Sequence, residues 1–226
     1  MVNSNDFIKG LASQLGRPTP VEIPELPFKV PPLPENSLEE RLQMFIGSWQ
    51  SLGGKGAIVK SPEEAINALK EWFGEQPSWL SSHAIISWNQ LPHVAEAAFQ
   101  KLEWPVRIYA DLPSQTTDLI AAAGKAELGV TGADWGIALS GTVVLKSGTG
   151  RGRAVSLVPP RHLTFILASA LRDNLIQVME EIQAMGTPPA AIEFISGPSR
   201  TSDIEMDLSI GVHGPVEVYV IVIKDV

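Results

Sequence analysis

Phe194 to Pro215 reads FISGPSRTSDIEMDLSIGVHGP and joins the end of one predicted strand to the start of another. The apolar run 191–195 has the length of a strand, and Gly197 and Pro198 end it with residues typical of a turn. The following run 216–223, VEVYVIVI, is rich in β-branched residues and suits the interior of a sheet. This stretch therefore predicts an α/β fold with its last strand buried.

A helix is predicted to begin inside this stretch. Ser202 and Glu205 have the S-x-x-E spacing of a capping box. Backbone N–H groups in the first turn of such a helix, together with Ser199, Arg200 and Thr201, would form a site for a carboxylate or a phosphate. The same residues also cap an ordinary helix, so a purely structural role stays open.

The end of the stretch, Gly211 to Pro215, places glycines on both sides of His213. Such glycines cost stability unless the backbone needs unusual angles or another group must approach closely. Open α/β sheets bind ligands at the carboxyl edge of the sheet. We therefore expect residues 199–201 at the end of a central strand, with Arg200 facing a cleft also lined by residues 140–142.

Composition limits the classes of function. A chain of 226 residues with 44% hydrophobic and 19% charged residues predicts an ordinary soluble protein with one large core. The formal net charge of −8 argues against nucleic-acid binding, because no cluster of lysine and arginine is available to neutralise phosphates. There is neither a signal segment nor an apolar run long enough to span a membrane, so a cytoplasmic location is expected.

The sequence contains no cysteine. This excludes disulfides, cysteine-built zinc sites and cysteine-ligated iron–sulfur clusters within the chain. A redox cofactor of that kind would have to belong to a partner protein.

Residues 1–36 are predicted to form a proline-rich N-terminal arm, and residues 37–226 a single α/β domain. Prolines forbid regular helix and favour extended backbone in the arm, after a short helix at 6–15. Apolar residues alternate with these prolines, so the arm is expected to lie on another surface, which a second subunit could provide. The prolines are at 18, 20, 24, 27, 31, 32 and 34.

Helices and strands alternate from Ser37 to Gly124, which predicts a mostly parallel sheet with helices on its faces. Ser37 and Ser61 are predicted helix caps, the second followed by proline and two acids. The predicted helices are 37–52, 61–73, 92–102 and 114–123, and the predicted strands are 57–59, 83–88 and 106–110.

Glycines separate short alternating runs after residue 129, which predicts an antiparallel hairpin at 135–139 and 142–146 and a return strand at 153–158. The glycine-rich loop 148–153 lacks both the P-loop ending and the dinucleotide-binding pattern. Arg161 and His162 follow two prolines and are site candidates. A strand at 163–168 and a helix capped by Ser169, with an apolar face at 171, 175, 178, 182 and 185, complete the pattern.

Two blocks of this sequence resemble the signature segments of the LUD domain, the lactate-utilisation protein C family. One is TGADWGIALSGTVVL with the downstream SLVPPRH, and the other is the opening stretch with its G-P-S-R-T-x-D-I-E and G-V-H-G-P elements. The resemblance implies a fold similar to the CoA-transferase and sugar-phosphate-isomerase group. It also implies a role in oxidising L-lactate to pyruvate with iron–sulfur partner proteins, and no cofactor in this chain.

The resemblance also implies which residues form the site. The positions that match the family's motif are Thr142, Arg153, Pro159, His162, Ser199, Arg200, Asp203, Glu205 and His213. We take Glu205, His213 and Asp203 as catalytic candidates. The ligand-binding candidates are Ser140, Gly141, Thr142, Arg153, His162, Gly197, Ser199, Arg200 and Thr201. Two carboxylates and one histidine are weak support for a metal, so no metal site is predicted.

The chain departs from the family at Leu139. The family's motif usually reads A-E-T-G-T where this chain has Ala138-Leu139-Ser140-Gly141-Thr142, so leucine replaces a carboxylate. A leucine cannot donate a proton or bind a metal, so activity that needs the acid would be lost.

Four functions remain open at this point. The favoured one is a lactate-utilisation subunit that binds a small anionic ligand and works with iron–sulfur proteins. A CoA-transferase-like enzyme would use Glu205 as nucleophile. A sugar-phosphate isomerase would use Glu205 or Asp203 as base. A catalytically silent structural subunit is the fourth.

Overall fold

The computed structural model describes residues 4–16, 36–111, 116–202, 208–210 and 214–225. The chain divides into two units, Met1–Pro34 and Glu35–Val226. In the first unit, helix α1 spans Ser4–Gln14, near its predicted bounds. The proline-rich segment lies outside the described residues, so the arm stays a prediction.

The larger unit alternates helices and strands as the sequence predicts. Its helices are α2 (Leu38–Ser51), α3 (Pro62–Phe73), α4 (His93–Leu102), α5 (Thr116–Gly124), α6 (Ala154–Leu157) and α7 (Leu175–Ala184). Short 3-10 turns cover Tyr109–Asp111 and Ala168–Ala170. Its strands are β1 (Lys55–Val59), β2 (Ile85–Ser87), β3 (Val106–Ile108), β4 (Leu128–Gly132), β5 (Trp135–Ile137), β6 (Thr142–Lys146), β7 (Arg161–Leu167), β8 (Leu171–Arg172), β9 (Ile192–Ile195), β10 (Arg200–Ser202), β11 (Leu208–Ile210) and β12 (Glu217–Ile223).

A six-stranded parallel sheet forms the centre of this unit, in the order β1-β12-β7-β4-β2-β3. Strand β12 pairs on both sides, which confirms that the VEVYVIVI run is an interior strand. Its side chains alternate between two cores because successive residues of a strand point to opposite faces. Tyr219 packs with Leu69 of α3, whereas Val220 packs with Trp49 of α2.

The predicted antiparallel hairpin is formed by β5 and β6. It belongs to a second sheet, in the order β8-β5-β6-β9, and is not part of the parallel sheet. Val143 of β6 packs with Leu42 of α2, and Val144 packs with Val178 of α7. The small sheet therefore lies between the core of the large sheet and helix α7.

The helix caps predicted at Ser37 and Ser61 are confirmed. At the start of α2, Ser37 N donates to Glu40 Oε2 at 2.8 Å and Glu40 N donates to Ser37 Oγ at 3.3 Å, which completes a capping box. At the start of α3, Glu64 N donates to Ser61 Oγ at 3.3 Å. Local chemistry fixes both helix starts.

The predicted return strand at 153–158 is wrong, because this segment forms helix α6. Strand β4 is also absent from the sequence prediction, because its glycines are typical of turns. Gly129 is needed there for a different reason. A Cβ on Gly129 would lie 1.8 Å from Val155 O, so only glycine lets α6 pack directly on β4.

Ser169 does not cap the next helix. It lies in a 3-10 turn and its backbone N–H donates to Asp225 Oδ1 at 3.0 Å. Helix α7 begins later, where Asn174 Oδ1 accepts from the backbone of Ile176 at 2.9 Å. Leu171, predicted to lie on the helix, is buried in β8 beside β5.

The helix predicted to start at Ser202 is also wrong for the residues that the structure describes. β10 and β11 pair in antiparallel register, with Arg200 opposite Ile210. Residues 203–207 between them lie outside the described part. The apolar residues at 204, 206, 208 and 210 recur at every second position, which is the period of a strand and outweighs the capping pattern.

His162 lies in the core of the large sheet with none of its surface exposed. Its Nε2 is 2.9 Å from Thr131 Oγ1 and 3.2 Å from Thr164 Oγ1. Burial lowers the pKa of His162 to about 3, because an imidazolium loses its hydration there. The structure thus places this ligand-binding candidate inside the fold.

Trp49 should be the side chain of α2 on which stability depends most. It is fully buried, stacks on Phe45 at 6.3 Å and donates from Nε1 to Lys55 O at 3.0 Å. Trp49→Ala should lower the free energy of unfolding by about 3–5 kcal/mol, as is typical of large-to-small core changes. Trp49→Phe should cost less because it keeps an aromatic ring. Urea denaturation measures both; a loss below about 1 kcal/mol for the alanine variant would contradict this packing.

The buried His162 should make the free energy of unfolding depend on pH. Its folded pKa of about 3 lies below the ordinary value of 6.5, so between these values the unfolded chain binds one more proton. The free energy of unfolding should fall by up to about 1.4 kcal/mol for each pH unit in that window because of this group. The wild type should therefore lose stability relative to His162→Gln, which lacks the titrating group, as the pH falls from 6.5 to 3. If plots of unfolding free energy against pH are parallel for the two proteins, His162 is not buried in its neutral form.

Candidate functional site

The last turn of helix α2 is the point at which two distant loops meet. The helix ends at Ser51, and Leu52 caps it before Gly53 turns the chain with a φ of 92°. A Cβ on Gly54 would lie 2.2 Å from Trp49 Nε1, so the chain leaves the helix directly against the indole ring. This tight exit leads straight into β1.

The first loop is the 139–142 corner between β5 and β6. Gly141 has a φ of 57°, and a Cβ there would lie 2.4 Å from the backbone N of Trp49. Ser48 Oγ donates to Leu139 O at 3.2 Å. The corner therefore contacts the helix backbone directly, which only glycine permits at this position.

The second loop follows β9. Gly197 has a φ of 83°, and a Cβ there would lie 2.9 Å from the Cβ of Leu52. Arg200 donates from its guanidinium to Leu52 O, where a cation balances the partial negative charge of the helix end. Ser199 N donates to Pro215 O at 3.0 Å.

The expected position of this second loop is wrong. Leu52 precedes β1 and Pro215 precedes β12, so residues 199 and 200 lie near the amino edge of the parallel sheet. They follow β9, an edge strand of the small sheet, and not a central strand. The expectation assumed that the strand before Gly197 belonged to the parallel sheet.

Three hydroxyl groups from the two loops form one hydrogen-bonded chain. Thr142 Oγ1 is 2.7 Å from Ser140 Oγ and 2.8 Å from Ser196 Oγ. Two of these residues are sequence candidates, and the structure brings them together. Ser196 was missed, although its hydroxyl directly follows a predicted strand and precedes the Gly-Pro turn.

These hydroxyls line a cavity of about 430 Å³ between the small sheet and α7. Apolar side chains form the rest of its wall, among them Leu139, the position at which the chain departs from the family's motif. The sequence did not assign the residues of α7 and β9 to a site, because their spacing is typical of a core face. The lining residues are Ile137, Leu139, Ser140, Thr142, Leu175, Met179, Phe194 and Ser196.

Arg153 lies apart from this cavity, exposed at the start of α6. Nearby, Ser156 Oγ donates to Glu193 Oε2 at 2.7 Å. Burial raises the pKa of Glu193, against the hydrogen bond from Ser156 and the charge of Arg153. This carboxyl group was not a sequence candidate, because it sits within an apolar strand pattern.

Of the remaining site candidates, the structure describes only Thr201. Thr201 pairs with Ser209 in the β10–β11 hairpin. Asp203, Glu205 and His213 lie outside the described residues, so their catalytic roles stay predictions. In the part of the chain that the structure describes, no three histidine, aspartate or glutamate side chains cluster closely enough to hold a metal.

No helix within the described ranges has the length and apolar character needed to cross a membrane.

Curated relatives match most of the chain. Lactate utilization protein C of Halalkalibacterium halodurans is 36% identical over 76% of this chain and 73% of its own length. Lactate utilization protein C of Shouchella clausii is 31% identical over 99% of this chain and 98% of its own length. The uncharacterized protein YkgG of Escherichia coli K12 is 29% identical over the full length of both.

A solved structure shares the fold. The crystal structure of a DUF162 family protein from Deinococcus radiodurans superposes with a TM-score of 0.60 at 20% identity, covering 84% of this chain and 99% of that one. The family model described as the LUD domain matches residues 42–223. These matches confirm the resemblance that the two sequence blocks carry, and the chain belongs to the LUD domain family.

Proposed function

We propose that this protein is a lactate-utilisation subunit that acts with iron–sulfur partner proteins in the oxidation of L-lactate to pyruvate. The observation that carries the proposal is the 31% identity to a lactate utilization protein C along 99% of the chain. Similarity over this length includes both loops at the end of α2.

The chemistry supports a shared assembly. Oxidation of L-lactate to pyruvate removes two electrons and two protons from the hydroxyl-bearing carbon and its oxygen. The sequence has no cysteine to hold an iron–sulfur cluster and no dinucleotide-binding fingerprint. In this proposal the electrons therefore pass to cofactors of the partners, and this chain contributes to binding and assembly.

The second loop is the part of the site that suits a small carboxylate. Arg200 is exposed and, among the residues that the structure describes, donates one hydrogen bond, to Leu52 O, whereas a guanidinium carries five N–H donors. A bidentate pair with a carboxylate is the strongest contact that those donors can make. Ser199 directly precedes Arg200 in this loop, and a Cβ on Gly214 would lie 3.6 Å from the Ser199 hydroxyl oxygen.

A non-catalytic subunit is the second candidate, and Leu139 favours it. The side chain of Leu139 is 63% exposed at the cavity, at a position where the family's motif carries glutamate. A leucine supplies neither a proton nor a charge to a substrate. In this case the protein would support its partners without contacting lactate.

The proposal is tested by assaying L-lactate oxidation with an artificial electron acceptor. The isolated chain should be inactive, and the complex formed by co-expression with iron–sulfur proteins encoded beside it should be active. Omission of this chain should abolish or greatly reduce that activity. Turnover by the isolated, cofactor-free chain would contradict the proposal, as would a full rate from the partners without it.

Substitution of Arg200 distinguishes the two candidates. Arg200→Gln in the active complex should raise the KM for L-lactate by about tenfold or more, since it removes a charged hydrogen bond to the carboxylate. Lys125→Gln is the matched control, because Lys125 is an exposed cation that belongs to neither loop. An unchanged KM in the Arg200 variant would favour the non-catalytic subunit.

A further inference from the structure

The cavity beside α7 has the dimensions of a small-molecule site. Its volume is about 430 Å³, and typical ligand sites have about 300–1,000 Å³. Rigid elements form its sides: the β5–β6 corner, strand β9 and the first turns of α7. It is separate from Arg200, which does not line it.

Much of the cavity wall is apolar surface that folding leaves in contact with water. The exposed fractions are 63% for Leu139, 49% for Leu175, 48% for Met179 and 43% for Phe194. Contact with an apolar ligand would remove this surface from water, and this gain grows with the area covered. Exposed apolar surface gathered around one concavity is typical of a binding site.

The hydroxyl chain supplies the polar end of the cavity. Three hydroxyl groups carry three O–H donors, and the two bonds at 2.7 and 2.8 Å within the chain use two of them. One donor therefore remains: at Ser140 or Ser196 when the two bonds run in the same direction, or at Thr142 when both serines donate to it. It can bond one acceptor oxygen of a ligand, and the oxygen lone pairs of the same groups can accept in turn.

No charged side chain is among the residues that line the cavity in the described part of the chain. A ligand with a charged end would have to shed water there without an ionic partner, which is costly. The transfer of an uncharged oxygen from water into the cavity costs far less free energy. The lining therefore selects by charge as well as by apolar contact.

We propose that this cavity binds an uncharged ligand with an apolar chain and one hydrogen-bonding oxygen, the chemistry of an alcohol, ketone or ester. Leu139 and Phe194 contact the apolar chain, and the hydroxyls of Ser140, Thr142 and Ser196 bond the oxygen. This site is additional to the proposed carboxylate contact at Arg200. It does not depend on lactate oxidation.

The test compares three probes with the same six-carbon chain: 1-hexanol, hexanoate and hexylammonium. Titrations of the full chain followed by ligand-detected NMR should show 1-hexanol binding about tenfold or more tightly than either ion, because of the cost of dehydrating a charge. Within the series 1-butanol, 1-pentanol and 1-hexanol, each methylene should tighten binding by about fourfold. Equal affinity for hexanoate, or affinity that does not depend on chain length, would overturn the proposal.

Three variants locate the binding. Leu139→Glu should weaken 1-hexanol binding by about fivefold or more, since it replaces apolar wall by a charge at an exposed position where folding is unaffected. Leu157→Glu is the control: Leu157 is 40% exposed but lies on α6 outside the cavity, and affinity should not change. Thr142→Val keeps the side-chain shape, removes the middle hydroxyl and should weaken binding by about two- to tenfold.

An unchanged affinity in Leu139→Glu would overturn the assignment of the probe to this cavity. Size-exclusion chromatography supplies the second check. If the wild type self-associates and Leu139→Glu is a monomer, the apolar wall is an interface between copies of the chain and not a ligand site.

Discussion

Two glycines allow the backbones of two separate loops to reach the last turn of helix α2. Gly141 contacts the backbone at Ser48 and Trp49, and Gly197 contacts Leu52, at distances that exclude a Cβ. Both glycines also have positive φ angles, of 57° and 83°. Steric room and backbone conformation thus require glycine at the same two positions.

This contact joins helix α2, which packs on the large sheet, to two loops of the small sheet. Helix α2 packs on the large sheet through Trp49, while the loops that contact its last turn leave the small sheet. Strands β6 and β9 pair with Val143 opposite Ile195, so the next residues along, Thr142 and Ser196, come side by side and their hydroxyls lie 2.8 Å apart although 54 residues separate them. The polar end of the cavity is a consequence of that strand pairing, next to the two loops that contact α2.

Local chemistry made part of this fold predictable. The hydroxyls of Ser37 and Ser61 cap their helices within three residues, and the β-branched run of β12 could only suit a sheet interior. Non-local contacts decided the rest. Gly129 looks like a turn residue until α6 is known to pack on it, and nothing near Ser196 in the sequence shows that Thr142 is its partner. The site could be predicted in part, as residues 140–142, but not its apolar wall, whose spacing matches an ordinary core.

The central claim is that one helical turn supports both loops, and a double-mutant cycle of Gly141→Ala and Gly197→Ala tests it most directly. Each alanine must displace the end of α2, so the second displacement should cost less once the first has occurred. Urea unfolding should therefore give a combined loss smaller than the sum of the single losses by about 0.5–3 kcal/mol. Losses that add to within about 0.5 kcal/mol would show that the two loops are held independently.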